Sequence, residues 1–166
     1  MSRAAKHKKS QDGGAKLGDF ETSLPMALLR AREAVMDRFR PVLRKHGVTE
    51  QQWRVLRLLD KEDGLDASEL AQRCCLLMPS LTRIIRTLEA DNMIRRRAHA
   101  KDQRRLSLSI TPKGRGLIET VAPESEAIYA ALFDDAGDVD LAGLGRLLES
   151  LSQALNGADR DGEGQA

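Results

Sequence analysis

Two groups of residues in this chain have the chemistry to recognise a polyanion. The first is Ser80, Thr82, Arg83 and Arg86, interleaved with the apolar set Leu81, Ile84, Ile85 and Leu88. That apolar set has the i, i+3, i+4, i+7 spacing of one helical face, so the hydroxyls and guanidinium groups are left toward the other. On a helix lying in a DNA major groove, arginine can fork two hydrogen bonds onto a guanine edge, and serine or threonine can reach phosphate or base. The alternative for Arg83 and Arg86 is contact with phosphate or solvent alone. The second group is Arg95, Arg96 and Arg97, followed by Lys101, Asp102, Arg104 and Arg105 in a polar stretch between two short segments. An arginine at the tip of such a stretch suits a narrow minor groove, where the negative potential is enhanced. A solvated turn is the competing reading. Arg95, Arg96, Arg97, Lys101 and Arg105 suit solubilising charge or phosphate contacts, which set affinity and salt dependence without setting sequence preference.

A second kind of chemistry is carried by cations on apolar faces. Arg32 shares a helical stripe with Leu28, Val35 and Phe39. A buried arginine needs an anionic partner, which a carboxylate ligand or an acid of the chain itself could supply. Arg40, His46, Trp53 and Arg57 are further candidates for a cleft between flanking helices and a DNA-reading lobe. His46 also suits a helix C-terminus, where it meets the dipole. Catalysis and cofactors are not indicated. There is no nucleophile–base pair, no glycine-rich phosphate loop, and His7, His46 and His99 have no metal-ligand spacing. Cys74 and Cys75 are adjacent and form no disulfide framework. Helical cysteines are ordinarily small buried hydrophobes, and redox sensing through Cys74 or Cys75 is the alternative.

The elements that must position these residues are legible from periodicity. Leu24 opens an amphipathic pattern through Leu28, Val35, Phe39 and Val42 or Leu43, in which Pro41 should kink or restart the helix, and Gly47 ends it. Thr49-Glu50-Gln51-Gln52 and Asp66-Ala67-Ser68-Glu69 read as capping boxes opening a second and a third helix. Pro79 suits the first position of a fourth. The period then shortens: Leu106, Leu108 and Ile110 alternate with Ser107 and Ser109, so Met93–Ala98 and Leu106–Ile110 read as a hairpin with a charged tip. Thr111-Pro112 opens a fifth helix, interrupted at Pro123, and the leucines from Leu141 to Leu155 mark a last one. The fold class is therefore mainly α with a small β-hairpin wing, a winged helix-turn-helix flanked by N- and C-terminal helices. Residues 1–20 form a disordered basic arm, 21–48 an N-terminal helix contributing to dimerisation, and 49–111 the DNA-binding domain. Residues 112–156 supply C-terminal dimerisation helices and 157–166 a disordered tail. The flanking apolar faces exceed what so small a central core can cover, which predicts a homodimer.

Composition agrees with this layout. The 166 residues are 41% hydrophobic and 31% charged, with a net charge of only +2. No apolar run approaches the ~18 residues of a membrane span, so no membrane partner and a cytoplasmic location are expected. The small net charge hides opposed blocks. Residues 74–105 hold eight bases against three acids, and residues 117–166 two bases against eleven acids. The surface for a polyanion lies in the middle of the chain.

Residues 24–155 resemble the MarR family of transcriptional regulators. The resemblance is carried by Pro79-Ser80-Leu81-Thr82-Arg83-Ile84-Ile85-Arg86-Thr87-Leu88-Glu89, by Ile94 with its following arginines, by Asp102-Gln103-Arg104-Arg105, and by Leu108-Ser109-Ile110-Thr111-Pro112-Lys113-Gly114. Within the family the chain is most similar to regulators of homoprotocatechuate (4-hydroxyphenylacetate) degradation operons, through Ala27–Glu33, Phe39-Arg40-Pro41, Thr49–Arg54 and Cys75–Thr82. The basic N-terminal extension departs from that pattern. The resemblance implies a homodimeric repressor on a pseudo-palindromic duplex operator, released by a small aromatic carboxylate. It also implies that Arg104 enters the minor groove while Asp102 orients it or ties the hairpin down. A protein-interaction adaptor without DNA is the alternative from a different class.

Overall fold

The computed structural model describes residues 19–98 and 106–162. The hairpin tip, with Asp102, Arg104 and Arg105, lies outside the described residues. The chain divides into two compact units, Met1–Met36 and Asp37–Ala166. In the first, a 3-10 turn at Phe20–Thr22 is capped by the Asp19 carboxylate, which accepts from the Glu21 amide at 3.3 Å. Helix α1 (Leu24–Lys45) follows and is continuous through Pro41, where the sequence predicts a kink or restart. It ends at Gly47, whose φ of 72° lets the Val48 amide return to the Leu43 carbonyl. That left-handed residue is the usual way to satisfy a helix's last carbonyls.

Both capping boxes form. Thr49 accepts from the Gln52 amide at 3.2 Å while the Gln52 side chain accepts from the Thr49 amide at 2.8 Å, opening α2 (Glu50–Lys61). Asp66 and Glu69 do the same for α3 (Ala67–Arg73). Helix α4 (Met78–Ala90) starts one residue before Pro79, which costs nothing in a first turn whose amides have no helical partners. Strands β1 (Ile94–Ala98) and β2 (Leu106–Ile110) pair antiparallel, with Ile94 opposite Ile110 and Arg96 opposite Leu108. Thr111 caps α5 (Pro112–Asp135), which runs unbroken across Pro123. Helix α6 (Leu141–Gly162) continues past Leu155, where the leucine periodicity gives out.

The core of the second unit gathers Leu43, Val55, Leu56, Leu59, Leu70, Leu81, Leu88 and Val121, all fully buried. Strand β2 is bonded along both edges. Besides β1 it pairs with Leu65, whose carbonyl accepts from the Leu108 amide at 2.8 Å, and the Leu108 carbonyl accepts from Gly64 at 3.0 Å. This third pairing is not visible in the periodicity, and it changes the strand's environment. Ser107 and Ser109 are only 5% and 2% exposed, although strict alternation predicts that they face water. Each stands opposite an arginine across the strands, Ser109 against Arg95 and Ser107 against Arg97. A small side chain among such neighbours has little surface left to expose.

The hairpin base is locked to α5 at Gly114. A Cβ there would lie 2.4 Å from the Met93 carbonyl oxygen and 2.7 Å from Ile110 Cγ1. The Thr111 hydroxyl meanwhile donates toward the Asn92 and Met93 carbonyls, at 2.7 and 3.0 Å. Gly114→Ala is therefore expected to destabilise the chain by about 1–3 kcal/mol through overpacking. Gly116→Ala, where a Cβ meets nothing within 4 Å, should be neutral or stabilising through helix propensity. Urea unfolding of the two variants side by side checks this, and equal midpoints would show that the close approach relaxes freely.

Candidate nucleic-acid interface

The apolar face of α4 inserts Leu81, Ile84, Ile85 and Leu88 into the core. Helical geometry then leaves Arg83 and Arg86 pointing outward, and both are exposed. Among the described residues neither guanidinium takes part in a hydrogen bond or ion pair. This contrasts with Arg38, Arg73, Arg96 and Arg115, each held by an acid. Thr82 is exposed and donates to the Met78 carbonyl at 2.9 Å, which leaves its oxygen able to accept. Ser80 is half-buried beside it.

The hairpin is joined to this helix. Arg96 Nε donates to Glu89 Oε1 at 2.9 Å, so the first strand is tied to the last turn of α4. Thr82, Ile85, Arg96, Ala67 and Leu108 line a recess of about 130 Å³ where helix and hairpin meet. Arg95 and Arg97 alternate to the other face of β1 from Arg96, and both are exposed. Cations on α4 and on the hairpin thus belong to elements that pack against each other.

The turn that aims α4 is held by a residue not singled out from the sequence. Arg54 NH1 donates to the Cys74 carbonyl at 2.7 Å, and Glu50 faces Arg54 one turn earlier at 3.7 Å. The i, i+4 spacing of Glu50 and Arg54 is readable from the sequence. The contact to Cys74, twenty positions away in the chain, is not. Cys75 follows in the left-handed region at φ 50° and is exposed, while Cys74 is buried. Burial pushes the Cys74 thiol up, opposed by the nearby Arg54. A thiol held protonated is a poor redox sensor.

The candidate ligand residues are dispersed. Arg32 lies in the first unit, exposed and paired with Glu33 at 2.5 Å. Its stripe companions Leu28 and Val35 are exposed as well, so the burial expected of this arginine is not met within the chain. In the second unit Arg40 pairs with Asp37 and with Glu50. His46 Nε2 lies 2.7 Å from Glu124 Oε1, and Lys45 meets the same carboxylate at 3.0 Å. Trp53 and Arg57 form one unit on α2, the guanidinium carbon 5.7 Å from the ring centre. No group of three or more His, Cys, Asp or Glu among the described residues could hold a metal ion.

A helix-turn-helix with an exposed cationic second helix and an attached two-stranded wing defines a winged-helix DNA-binding protein. The sequence profile of the MarR family matches residues 48–106, which span the second to fourth helices and β1 and end at the first residue of β2. The homoprotocatechuate degradative operon repressor of Escherichia coli is 37% identical over 84% of this chain and 94% of its own length. The transcriptional regulator FarR of Neisseria gonorrhoeae is 39% identical over 81% of this chain and 94% of its own. Among solved structures, NadR in complex with 4-hydroxyphenylacetate superimposes with a TM-score of 0.70 at 35% identity, covering 92% of this chain and 99% of that one. The chain belongs to the MarR family and is a DNA-binding transcription regulator, not an enzyme. No helix among the described residues is long and apolar enough to cross a membrane.

Two outcomes are expected from this geometry. Arg83→Ala and Arg86→Ala should each weaken DNA binding in fluorescence anisotropy. Loss of a phosphate contact lowers the slope of log K against log salt by about 1, whereas loss of a base contact costs about 1–3 kcal/mol of discrimination at one position. Unchanged binding in both variants would remove α4 from the interface. The hydrogen bonds from His46 and Lys45 hold the Glu124 carboxyl below its ordinary value of 4.5. A depressed folded value means that its contribution is present above the unfolded value and is lost as pH falls through the folded one. The stability gap between the native chain and Glu124→Gln should therefore be constant at neutral pH and close below about pH 4.5. A gap unaffected by acid in denaturant titrations would contradict this.

Proposed function

We propose that the chain is a homodimeric repressor of an aromatic-compound catabolic operon, released from a pseudo-palindromic operator by a small aromatic carboxylate. The observation that carries the effector reading is the Trp53–Arg57 pair. It offers an aromatic face and an exposed guanidinium on one helix, the two features that a ring bearing a carboxylate can use together. The relatives support the same chemistry: one is named for repression of a homoprotocatechuate operon, and NadR was crystallised with 4-hydroxyphenylacetate. Arg40 and His46 are further candidate contacts in the same unit, already engaged by acids that a ligand carboxylate would have to replace. Arg32, in the N-terminal unit, enters by residue type.

Dimerisation is supported by apolar surface that the chain itself does not cover. Leu144, Leu147, Leu148 and Leu155 of α6 are exposed, as are Leu24, Leu28 and Leu29 in the N-terminal unit. Exposed apolar faces of this extent mark interaction surfaces. In the dimer two copies of α4 address major grooves about 34–36 Å apart, and an effector favours a spacing that no longer fits them. At the hairpin tip, Arg104 entering the minor groove with Asp102 orienting it, and Arg105 on phosphate, complete the proposed contact set. Thr82, Ser80, Arg95 and Arg97 supply the rest.

The test is anisotropy of the full chain on DNA from upstream of its own gene, at fixed salt, with 4-hydroxyphenylacetate, homoprotocatechuate and several benzoates. Release by one acid, abolished in Arg57→Ala, is the expected result. Tight binding that no acid releases would sink the effector assignment, and binding no better than to random DNA would sink the operator reading.

A further inference from the structure

The N-terminus of the DNA-reading helix carries an apolar pair that neither the core nor the helix itself requires. Leu77 occupies the position just before α4, makes no side-chain capping bond, and is 78% exposed. Leucine is among the poorest residues for that position, where serine, threonine, aspartate or asparagine would satisfy a free amide. Met78 follows and is 45% exposed. The other large exposed apolar residues lie in the N-terminal unit, on α5 near Tyr129 and Phe133, and from Val139 onward. Within the helix-turn-helix and wing, Leu77 and Met78 are alone among the described residues. They sit beside Ser80, Thr82 and Arg83, on the end of the helix that a helix-turn-helix presents to base edges.

The face is cationic and polar around them, so the occupant must be an anionic surface that also offers apolar contact. Duplex DNA meets that description at one kind of site in the major groove, the C5-methyl group of thymine. We propose that Leu77 and Met78 are specificity-determining residues that pack on thymine methyl groups of the operator. The inference rests on the DNA-binding reading of α4 and adds an apolar readout to the arginine contacts. The poor helix start then has a purpose, because a capping side chain would fold back onto the helix and leave no apolar group for the groove.

The test uses the full-length chain and the duplex that it selects from a random-sequence pool. Each dT of a half-site is replaced in turn by dU, which removes only the methyl group. For the native chain one or two such replacements should weaken binding about fourfold each, the change that burial of a single methyl-sized group supports. In Leu77→Ala or Met78→Ala the affected position should become indifferent to dT→dU. Leu77→Ser supplies the missing cap, so weaker DNA binding with an equal or higher urea midpoint separates a lost contact from a damaged fold. Sequence-preferring binding that dU leaves unchanged at every position would overturn the inference alone. So would a variant that loses affinity but keeps full methyl sensitivity, or one whose sedimentation shows a dissociated dimer, which would assign the patch to a second copy. Selection that returns no preferred sequence would overturn the DNA-binding reading of α4 together with it.

Discussion

The burial of Leu81, Ile84, Ile85 and Leu88 beneath α4 is the constraint on which the rest of this protein depends. Each such side chain contributes about 1.5–3 kcal/mol on leaving water, and their spacing fixes the rotation of the helix about its axis. An exposed ion pair is worth about 0–1 kcal/mol, so Arg96–Glu89 steadies the wing against α4 but does not decide which way α4 faces. The aim of Arg83 and Arg86 is thus a by-product of core packing. Arginines without acid partners cost little on an exposed face, and they are available to phosphate or guanine at no expense of a broken internal pair.

The base of the wing is held by different means. Its strands are short and would not stand alone. Pairing of β2 with Leu65 brings the link between α2 and α3 into the sheet, and Gly114 lets α5 approach the Met93 carbonyl with no side chain between. Hairpin, α4 and α5 therefore share one anchorage. Thr111 adds to it twice, capping α5 with its oxygen while its hydroxyl proton is directed at the carbonyls ahead of β1. A residue change at this junction is felt by the wing and by the start of the helix that leads out of the DNA-binding region.

Much of this was readable in advance, and the reasons divide cleanly. Capping boxes at Thr49 and Asp66, the four-residue underside of α4 and the hairpin are local patterns, and each formed where its residues stand. What escaped involves partners distant in sequence. The buried serines of β2, the Leu65 pairing and the hold of Arg54 on Cys74 all depend on tertiary neighbours that periodicity does not encode. At Pro41 and Pro123 the helices neither restart nor break, for a related reason. A proline removes one amide bond, but neighbouring turns and tertiary contacts such as Lys45 and His46 on Glu124 can hold a long helix together across it. Among the candidate ligand residues, Arg32 stands out by its place on an apolar stripe, and Arg40, His46, Trp53 and Arg57 as candidates for a cleft beside the DNA-reading lobe. Trp53 and Arg57 come together on α2, whereas around Arg32 the stripe residues Leu28 and Val35 are exposed in the single chain and Phe39 is buried.

Helix α2 is where the proposed ligand residues and the turn before α4 meet on a common element. Trp53 and Arg57 stand on it, and Arg54 between them reaches the Cys74 carbonyl in the turn that precedes α4. Glu50, one turn back, touches both Arg54 and Arg40. A carboxylate drawn to these arginines competes with Glu50 for the same charge. An effector can shift an equilibrium only by its differential affinity for two states, so the states must differ near its own contacts. Arg54, which holds the turn before α4, lies on the same helix as Trp53 and Arg57, so contacts of the proposed ligand and of that turn share one rigid element.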